Sequence, residues 1–579
     1  MIKVDHLSYS FPQKDLYDSI SFTLEDGQHC ALIGTSGSGK STLVDIMMDA
    51  ENYLFDGKIE IDPDCRIGYV SQRTQQDKAD ETTVFEYISE EFTKLQNEIA
   101  SIFAEMETSS DIDALLERYQ ECLDALNAIG GEDFESMISK KLHLANLMKL
   151  RDLPISKLSG GEFKLVQVIK EMLNGPDLMI MDEPDVFLDF GNLNSLKALI
   201  NSHKQTMLVI THNRYLLNHC FNKIIHLENK KLQEFDGSYV DYNFSLLQTK
   251  IDLQELSIAD DEEIERNNIL IERLRDIATK DADAQNGRSL KARVSLQKRL
   301  EERRIEAPFV DMKQAGFSLV NDSEEKAAIA LKVSNYAVSF DELLLGNVSF
   351  EIQSTDKVAL IGPNGTGKTT LLREIFQNNS DAIVLSDGIE VAYLSQDQGE
   401  TLCGSNTILD EFYEAGFKSP ADIAAYLLGY GFNEEEITQK IGSLSGGEKN
   451  ILQLAKICAG KVNLLLLDEP TSHLDTYSQI TLEEAIAKYN GAVLMISHDY
   501  YSIINCMDYV LLIEDKTVRK ISMRKFRKMI YASHFDKDYL LIEEKKQAVE
   551  TKIKLALMDK DFTLARTLSI ELEELIKLL

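Results

Sequence analysis

The chain contains one set of short motifs twice, in the same order and the same register. Each set has a glycine-rich segment, a Leu-Ser-Gly-Gly-Glu segment, an Asp-Glu-Pro segment and then a histidine. The segments begin at residues 34, 158 and 182 in the first set and at 362, 444 and 468 in the second. The histidine follows the glutamate of Asp-Glu-Pro by 29 residues in both sets. Such a register predicts a fold built from two copies of one domain.

In each copy a short apolar run leads into the glycine-rich segment, which should open a helix. Backbone amides in such a loop can wrap a phosphate at the helix N-terminus. The two loops comprise Gly34, Thr35, Ser36, Gly37, Ser38, Gly39, Lys40, Ser41 and Thr42, and Gly362, Pro363, Asn364, Gly365, Thr366, Gly367, Lys368, Thr369 and Thr370. We predict that Lys40 and Lys368 neutralise phosphate oxygens and that the hydroxyls of Ser41 and Thr369 face Mg²⁺.

The acidic pairs follow short apolar runs of the kind that form strands buried on both faces of a parallel sheet. Ligands of α/β proteins bind at the carboxyl edge of such sheets, where these pairs would lie. We therefore predict that Asp182 and Asp468 hold Mg²⁺. Glu183 and Glu469 are the candidate catalytic bases that polarise the attacking water.

These motifs resemble those of the ATP-binding-cassette ATPases, over about residues 1–245 and 328–530. No apolar run approaches the length of a membrane span. Two cassettes in a chain with no membrane span resemble the ABC-F branch, which comprises ribosome-associated translation factors and antibiotic-resistance proteins. The resemblance implies an α/β fold class with two tandem P-loop nucleotide-binding domains, ATP and Mg²⁺ as ligands, and a monomer whose cassettes pair within the chain. Apolar side chains at helical spacing predict a helical-hairpin linker at 246–327. The same spacing, with a turn near 559–561, predicts a C-terminal helical hairpin or coiled coil at 531–579, through Leu564, Leu568, Leu572 and Leu575.

The resemblance implies further roles within each cassette. His212 and His498 would orient the attacking water and the γ-phosphate, although a lone histidine after a strand is more often a packing residue. Gln72 and Gln396 would complete the metal and water shell.

The resemblance also implies contacts of each nucleotide with the opposite cassette and with an aromatic side chain. The serine-glycine segments, formed by Ser159, Gly160 and Gly161 and by Ser445, Gly446 and Gly447, would serve the ATP of the opposite cassette. Ser159 would then face the ATP held by Lys368, and Ser445 the ATP held by Lys40. Phe11 and Phe340 occupy the place where the family stacks an aromatic ring on adenine, but a phenylalanine at a strand end is at least as often core.

The loops after the two Glu-Pro pairs differ. The second reads Thr-Ser-His-Leu-Asp over residues 471–475, as in the family, whereas the first reads Asp-Val-Phe-Leu-Asp over 185–189. Since this loop crosses to the opposite nucleotide in the family, the apolar Val186-Phe187 pair predicts unequal hydrolysis at the two sites.

The first cassette carries an insertion, predicted as a helical arm at about 85–135. Its first helix should cover 85–106, with a turn at Ser109-Ser110. Residues 90–135 contain 13 acidic residues and only two basic ones, Lys94 and Arg118. A solvated acidic face and a surface that meets a basic ribosomal protein are about equally good interpretations.

The linker contains a basic island in a chain with a net charge of −35. Residues 288–304 carry seven Lys and Arg against two Glu. The candidate RNA contacts are Arg288, Lys291, Arg293, Lys298 and Arg299. The island resembles the ABC-F linker helix, which approaches tRNA and rRNA, and phosphate contacts of this kind position a protein without reading sequence. A charged coiled-coil face is the alternative.

The leading functional hypothesis is an ATP-driven factor that closes on the ribosome and is released by hydrolysis. Seven cysteines without a CxxC pair favour a reducing cytoplasm over a disulfide framework or a zinc site. Two alternatives remain: the ATPase subunit of a transporter with separate membrane proteins, and a DNA-associated ATPase.

Overall fold

The computed structural model describes residues 2–11, 14–63, 65–72, 81–107, 112–186, 188–252, 271, 316–317, 319, 328–339, 343–433, 436–534, 537–559 and 561–578. Contacts divide the chain into two compact units. The first unit combines Met1–Ser238 with Lys313–Ile530, and the second combines Tyr239–Met312 with Tyr531–Leu579. Both cassettes therefore belong to the same unit.

The first cassette alternates strands and helices along the chain. Its strands are β1 (Ile2–Phe11), β2 (Lys14–Leu24), β3 (His29–Ile33), β4 (Asp56–Ile61), β5 (Ile67–Val70), β6 (Leu178–Asp182), β7 (Thr206–Ile210), β8 (Lys223–Glu228) and β9 (Lys231–Asp236). Its helices are α1 (Lys40–Met48), α2 (Val84–Ile88), α3 (Glu90–Met106), α4 (Ile112–Ala128), α5 (Phe134–Leu144), α6 (Gly160–Leu173), α7 (Phe190–Ser202) and α8 (Arg214–Cys220).

The second cassette repeats this order without the inserted arm. Its strands are β10 (Ile329–Ser339), β11 (Leu343–Gln353), β12 (Lys357–Ile361), β13 (Ile383–Leu385), β14 (Val391–Leu394), β15 (Leu464–Asp468), β16 (Ala492–Ile496), β17 (Tyr509–Glu514) and β18 (Thr517–Ser522). Its helices are α9 (Lys368–Gln377), α10 (Ile408–Glu414), α11 (Pro420–Leu428), α12 (Gly446–Ala459), α13 (Thr476–Lys488) and α14 (Tyr500–Cys506), and α15 (Met523–His534) follows.

Strand order explains why distant motifs meet. Among the described residues, the larger sheet of the first cassette has the order β5-β6-β7-β3-β8-β9, and that of the second has β14-β15-β16-β12-β17-β18. The first five strands of each sheet run parallel. The glycine-rich loop, the acidic pair and the histidine follow three adjacent strands and so share one edge. The predicted α/β fold with two tandem P-loop domains is confirmed.

The arm differs in one detail from its prediction. The single helix expected over 85–106 is two helices, α2 and α3, separated at Ser89. A capping box between Thr83 and Glu86 starts α2, and the non-helical backbone of Ser89, with φ −86° and ψ 7°, ends it. Helices α3 and α4 pack through Ile102, Leu115 and Cys122. The predicted turn at Ser109-Ser110 lies outside the described residues.

The second unit is helical where it is described. Residues 239–252 are helical, and α16 (Lys537–Met558) and α17 (Phe562–Ile576) form a hairpin at the C-terminus. Asp561 caps α17 by accepting a bond from the Leu564 amide at 3.0 Å. Ile251 packs with a cluster of apolar side chains from the hairpin: Val549, Ile553, Ala556, Ala565, Leu568 and Leu572. The basic island at 288–304 lies outside the described residues.

A buried ion cluster joins the two cassettes. Arg214, at the start of α8, inserts its guanidinium against Glu483 and Asp499 of the second cassette, 2.7 Å from the Asp499 Oδ2. Only 10% of the Arg214 side chain and 5% of the Glu483 side chain are exposed. Ser502 and Asn505 donate to Glu483 at 2.7 and 2.8 Å. Hydrogen bonds within the second cassette thus leave the charge of both carboxylates to be neutralised by Arg214, which reaches them only while the cassettes remain together.

We expect Arg214→Met to lower the free energy of unfolding by about 3–5 kcal/mol, because it leaves two buried carboxylates without their cation. Circular dichroism during urea denaturation measures this change. The matched control is Lys332→Met in the exposed pair with Glu351, where the expected loss is below about 1 kcal/mol. Equal losses in the two variants would show that the buried cluster does not stabilise the cassette pair.

Candidate functional site

Each glycine-rich loop wraps the lysine that follows it. The Lys40 ammonium donates to the carbonyls of Gly34 and Thr35 at 3.0 and 2.9 Å. The Lys368 ammonium makes equivalent bonds at 2.7 and 2.8 Å. Both lysines are buried, and burial lowers the pKa of each amine. A buried cation at a helix N-terminus favours an anionic ligand such as a phosphate chain.

The carboxylates expected to bind metal end the neighbouring strands. Asp182 and Asp468 are buried, and burial raises the pKa of each to about 6. Within the described residues, the Asp182 Oδ1 is buried without a hydrogen-bond partner, while a bond from Ser41 lowers the pKa of the same carboxyl group. An unsatisfied carboxylate oxygen beside a hydroxyl suits a hard cation. Ser41 with Asp182, and Thr369 with Asp468, therefore fit Mg²⁺, which would neutralise phosphate charge when bound.

The two candidate bases share an unusual backbone. The φ angles of Glu183 and Glu469 are +44° and +50°, in the left-handed region that non-glycine residues rarely adopt. Each amide is held by the adjacent strand, donating at 2.9 Å to the carbonyl of Ile210 or Ile496. Strain of this kind persists where neighbouring structure enforces it, typically at functional sites.

The two histidines follow β7 and β16, at the same sheet edge as the glycine-rich loops. Burial, together with the adjacent lysine, lowers the pKa of His212 and of His498 to about 3. Both imidazoles are therefore neutral near pH 7 and can donate or accept a hydrogen bond. The His498 amide donates to the Glu469 Oε2 at 3.3 Å, and its Nε2 lies 3.5 Å from the Oε1.

Two cavities are each lined by residues of both cassettes. The cavity at the Lys368 loop, of about 520 Å³, is also lined by Ser159, Gly160, Gly161 and Gln396. The cavity at the Lys40 loop, of about 1610 Å³, is lined by residues 35–38, Phe11 and, from the second cassette, Glu448. Residues of the opposite cassette therefore lie beside each glycine-rich loop, as expected.

The serine-glycine segments open helices, as expected. Ser159 and Ser445 cap α6 and α12 with capping boxes. Gly447 packs against the opposite loop, since an added Cβ would lie 2.3 Å from the Ser36 Oγ. Phe11 is 45% exposed at the end of β1, whereas Phe340 lies outside the described residues.

The two sites differ in the surroundings of their glutamates. Although Glu183 is buried, hydrogen bonds from His473 at 3.0 Å and from Gln72 at 2.6 Å hold its pKa well below the usual value. Burial raises the pKa of Glu469 to about 8. The glutamates of the two repeated motifs thus differ in pKa, because the residues that contact them from outside the motifs differ.

Two functional contacts were missed from the sequence. Lys164 donates to the carbonyls of Ser71 and Gln72, the latter at 3.3 Å, and so anchors the segment that carries the Gln72 side chain. Glu228 accepts bonds at 3.1 Å from the amide and the hydroxyl of Thr35. The comparison of the two repeats contained a signal for both contacts. Asn450 occupies the position that matches Lys164. Pro363, which has no N–H, occupies the position that matches Thr35.

The sequence model of the ABC transporter family matches residues 17–186 and 345–472, which contain both glycine-rich loops and both acidic pairs. The chain belongs to this family. Its two ABC cassettes bind and hydrolyse ATP. Among the described residues, the helices are too short or too polar to cross a membrane.

Curated relatives of this ABC protein match along most of its length. ABC transporter F family member 2 of Arabidopsis thaliana is 29% identical over 89% of this chain and 76% of the relative. The ATP-binding protein Uup of Escherichia coli is 28% identical, over 85% and 76%. The ABC transporter ATP-binding protein YfmM of Bacillus subtilis is 28% identical, over 86% and 96%. The predicted resemblance to the F branch is confirmed.

Solved structures share the fold of the tandem ABC cassettes. An archaeal ribosome recycling factor, in complex with the stalk protein aP1, aligns with a TM-score of 0.52 at 16% identity, over 91% of this chain and 92% of its own. An RNase-L inhibitor aligns with a TM-score of 0.51 at 16% identity, over 91% and 93%.

We expect Glu183→Gln combined with Glu469→Gln to slow steady-state ATP hydrolysis by about 100-fold or more, since a positioned general base contributes 10²–10⁴-fold. Fluorescent-nucleotide titration should show that ATP still binds, because the loops are unchanged. The control is Glu484→Gln on the exposed side of α13, which should hydrolyse ATP normally. Turnover near the unmodified rate in the double variant would remove both glutamates from the base role.

Proposed function

We propose that this protein is an ATP-driven factor that acts on the ribosome, as a translation factor or as a ribosomal protection factor against antibiotics. ATP would close the two cassettes, and hydrolysis would release the protein. In this proposal Glu183 and Glu469 are the bases, His212 and His498 contact the γ-phosphate, and the paired hydroxyls and aspartates hold Mg²⁺.

The observation that supports nucleotide-driven closure is that both cavities are lined by both cassettes. Ser159 lines the cavity of the Lys368 loop, and Gly447 packs against Ser36 of the other loop. A ligand that bridges such walls stabilises the closed arrangement by its differential affinity for that state. The buried Arg214 cluster, at the start of α8, provides a further contact between the cassettes.

The charge of the arm supports a basic partner. Both basic residues of the arm are engaged within it: Lys94 lies 2.8 Å from Glu90, and Arg118 lies 3.4 Å from Glu98. The outward charge of the arm is therefore acidic, which repels an RNA backbone and attracts a basic protein. A ribosome offers both basic proteins for the arm and phosphates for the basic island.

The comparisons support the choice of the ribosome over other targets. Relatives that align with 89% of this chain belong to the F family. Structural neighbours include a ribosome recycling factor and a protein described as ribosome-bound with Pelota. The transporter subunit and the DNA-associated ATPase remain the competing proposals, and the transporter assignment gives the basic island no role.

We expect the Glu183→Gln, Glu469→Gln double variant to sediment with ribosomes when ATP is present and to remain unbound without it. Pelleting through a sucrose cushion, with separate membrane fractions, provides the measurement. RNase treatment should abolish pelleting and DNase should not. Recovery in the membrane fraction would favour the transporter subunit, and sensitivity to DNase alone would favour the DNA-associated ATPase.

We also expect Arg288→Ala, Lys291→Ala and Lys298→Ala together to reduce the salt dependence of ribosome binding. Each lost phosphate contact should lower the slope of log affinity against log salt by roughly 0.7–0.9, so three contacts correspond to about two units. The control triple, Lys418→Ala, Lys488→Ala and Lys528→Ala, removes the same charge from exposed positions. An unchanged slope in the first triple would make the island a solvated coiled-coil face.

A further inference from the structure

One residue of the second cassette contacts the candidate base of the first. His473 belongs to the loop after β15, and its Nδ1 lies 3.0 Å from the Glu183 Oε2. The carbonyl of the same residue accepts a bond from the Ser36 Oγ at 2.8 Å. His473 therefore contacts both the glycine-rich loop and the glutamate of the Lys40 site from across the cassette interface.

The geometry makes His473 a donor to the glutamate. An ionised carboxylate can only accept hydrogen bonds, so the Nδ1 atom carries the proton in this pair. The side chains are 20% and 14% exposed, and charge-assisted bonds in such a setting are short and strong. The Gln72 amide donates to the same oxygen at 2.6 Å. Two donors, one from each cassette, thus fix the orientation of the carboxylate.

The backbone of His473 also holds this arrangement. Its φ angle is +61°, in the left-handed region. Asn450 of the same cassette donates to the Ser472 carbonyl at 2.8 Å and to the Pro470 carbonyl at 3.1 Å. The loop is therefore fastened to α12, the helix that the Ser445 segment opens. Movement of α12 relative to the first cassette would carry the imidazole with it.

The Lys368 site is built differently. Glu469 is met by His498 of its own cassette, through the amide at 3.3 Å and the Nε2 at 3.5 Å. In the sequence, Phe187 occupies the position that matches His473, and phenylalanine has no hydrogen-bonding group. The first cassette does reach the Lys368 loop, since the Asp189 Oδ2 accepts a bond from the Asn364 amide at 3.4 Å. That contact involves the loop and not the glutamate.

We propose that His473 is a positioning residue for Glu183, which makes hydrolysis at the Lys40 site depend on the seating of the second cassette's loop, whereas the Lys368 site lacks this control. The inference rests on the proposed role of Glu183 as a base. When the cassettes separate, the imidazole leaves with α12 and the carboxylate loses one of its two donors. ATP at the Lys40 site would then be hydrolysed faster in the closed arrangement than in the open one.

The test measures each site by itself. Single-turnover hydrolysis, followed by rapid quench, is performed in the Glu469→Gln background, where only the Lys40 site has its base, and in the Glu183→Gln background, where only the Lys368 site does. We expect His473→Phe to slow phosphate formation about 10-fold more in the first background than in the second, by analogy with the loss of a hydrogen bond to a charged group. Nucleotide affinity should change far less than the rate.

A conservative variant separates positioning from damage to the loop. His473→Asn can place an amide donor near the position of the Nδ1, so it should recover most of the lost rate at the Lys40 site. The control His143→Asn makes the same substitution at an exposed position of α5 and should leave both rates unchanged. Thermal unfolding of all variants shows whether the loop substitutions alter stability.

Two results would overturn the proposal. One is an equal loss of rate in both backgrounds with His473→Phe, and the other is a His473→Asn variant as slow as His473→Phe. The base assignment fails separately, if Glu183→Gln does not slow hydrolysis in the Glu469→Gln background. If Glu183→Gln slows hydrolysis but His473→Phe does not, Glu183 keeps its role as the base and only the positioning role of His473 is refuted.

Discussion

The carboxyl edge of a buried parallel sheet is where each cassette places its polar chemistry. Strands such as β6 and β15 are buried along their whole length, so a charged residue can be accommodated only where the strand ends. The glycine-rich loop, the acidic pair and the histidine follow neighbouring strands and are confined to one edge. An edge of this kind leaves one side of its ligand open. The opposite cassette supplies the missing wall at both sites.

Duplication preserves this architecture while the chemistry of the two sites diverges. Strand order, the capping boxes at Ser159 and Ser445, and the left-handed backbone of Glu183 and Glu469 are common to both halves. The side chains that surround the motifs differ between the two halves. Lys164 anchors the Gln72 segment, and Asn450 at the matching position fastens a loop instead. The environment of each glutamate therefore depends on residues that the repeated motifs do not include.

The connection between cassettes combines two kinds of contact with different physical behaviour. The Arg214 cluster is buried, and separating the cassettes would break its two ion pairs at the same time. The contacts at the glycine-rich loops, such as that of Ser36 with His473, are single hydrogen bonds of modest net energy. The first kind resists separation of the cassettes, whereas the second kind can be exchanged for bonds to a nucleotide.

The sequence by itself determined the two cassettes, their α/β class and the residues of each glycine-rich loop and acidic pair, because these motifs carry their spacing and local conformation with them. It also predicted the C-terminal hairpin, whose turn residues are local. The pairing of His473 with Glu183 was decided only by tertiary structure, because the two residues are 290 positions apart. A hydrogen bond over that separation depends on how two folded domains pack, and no local pattern encodes it.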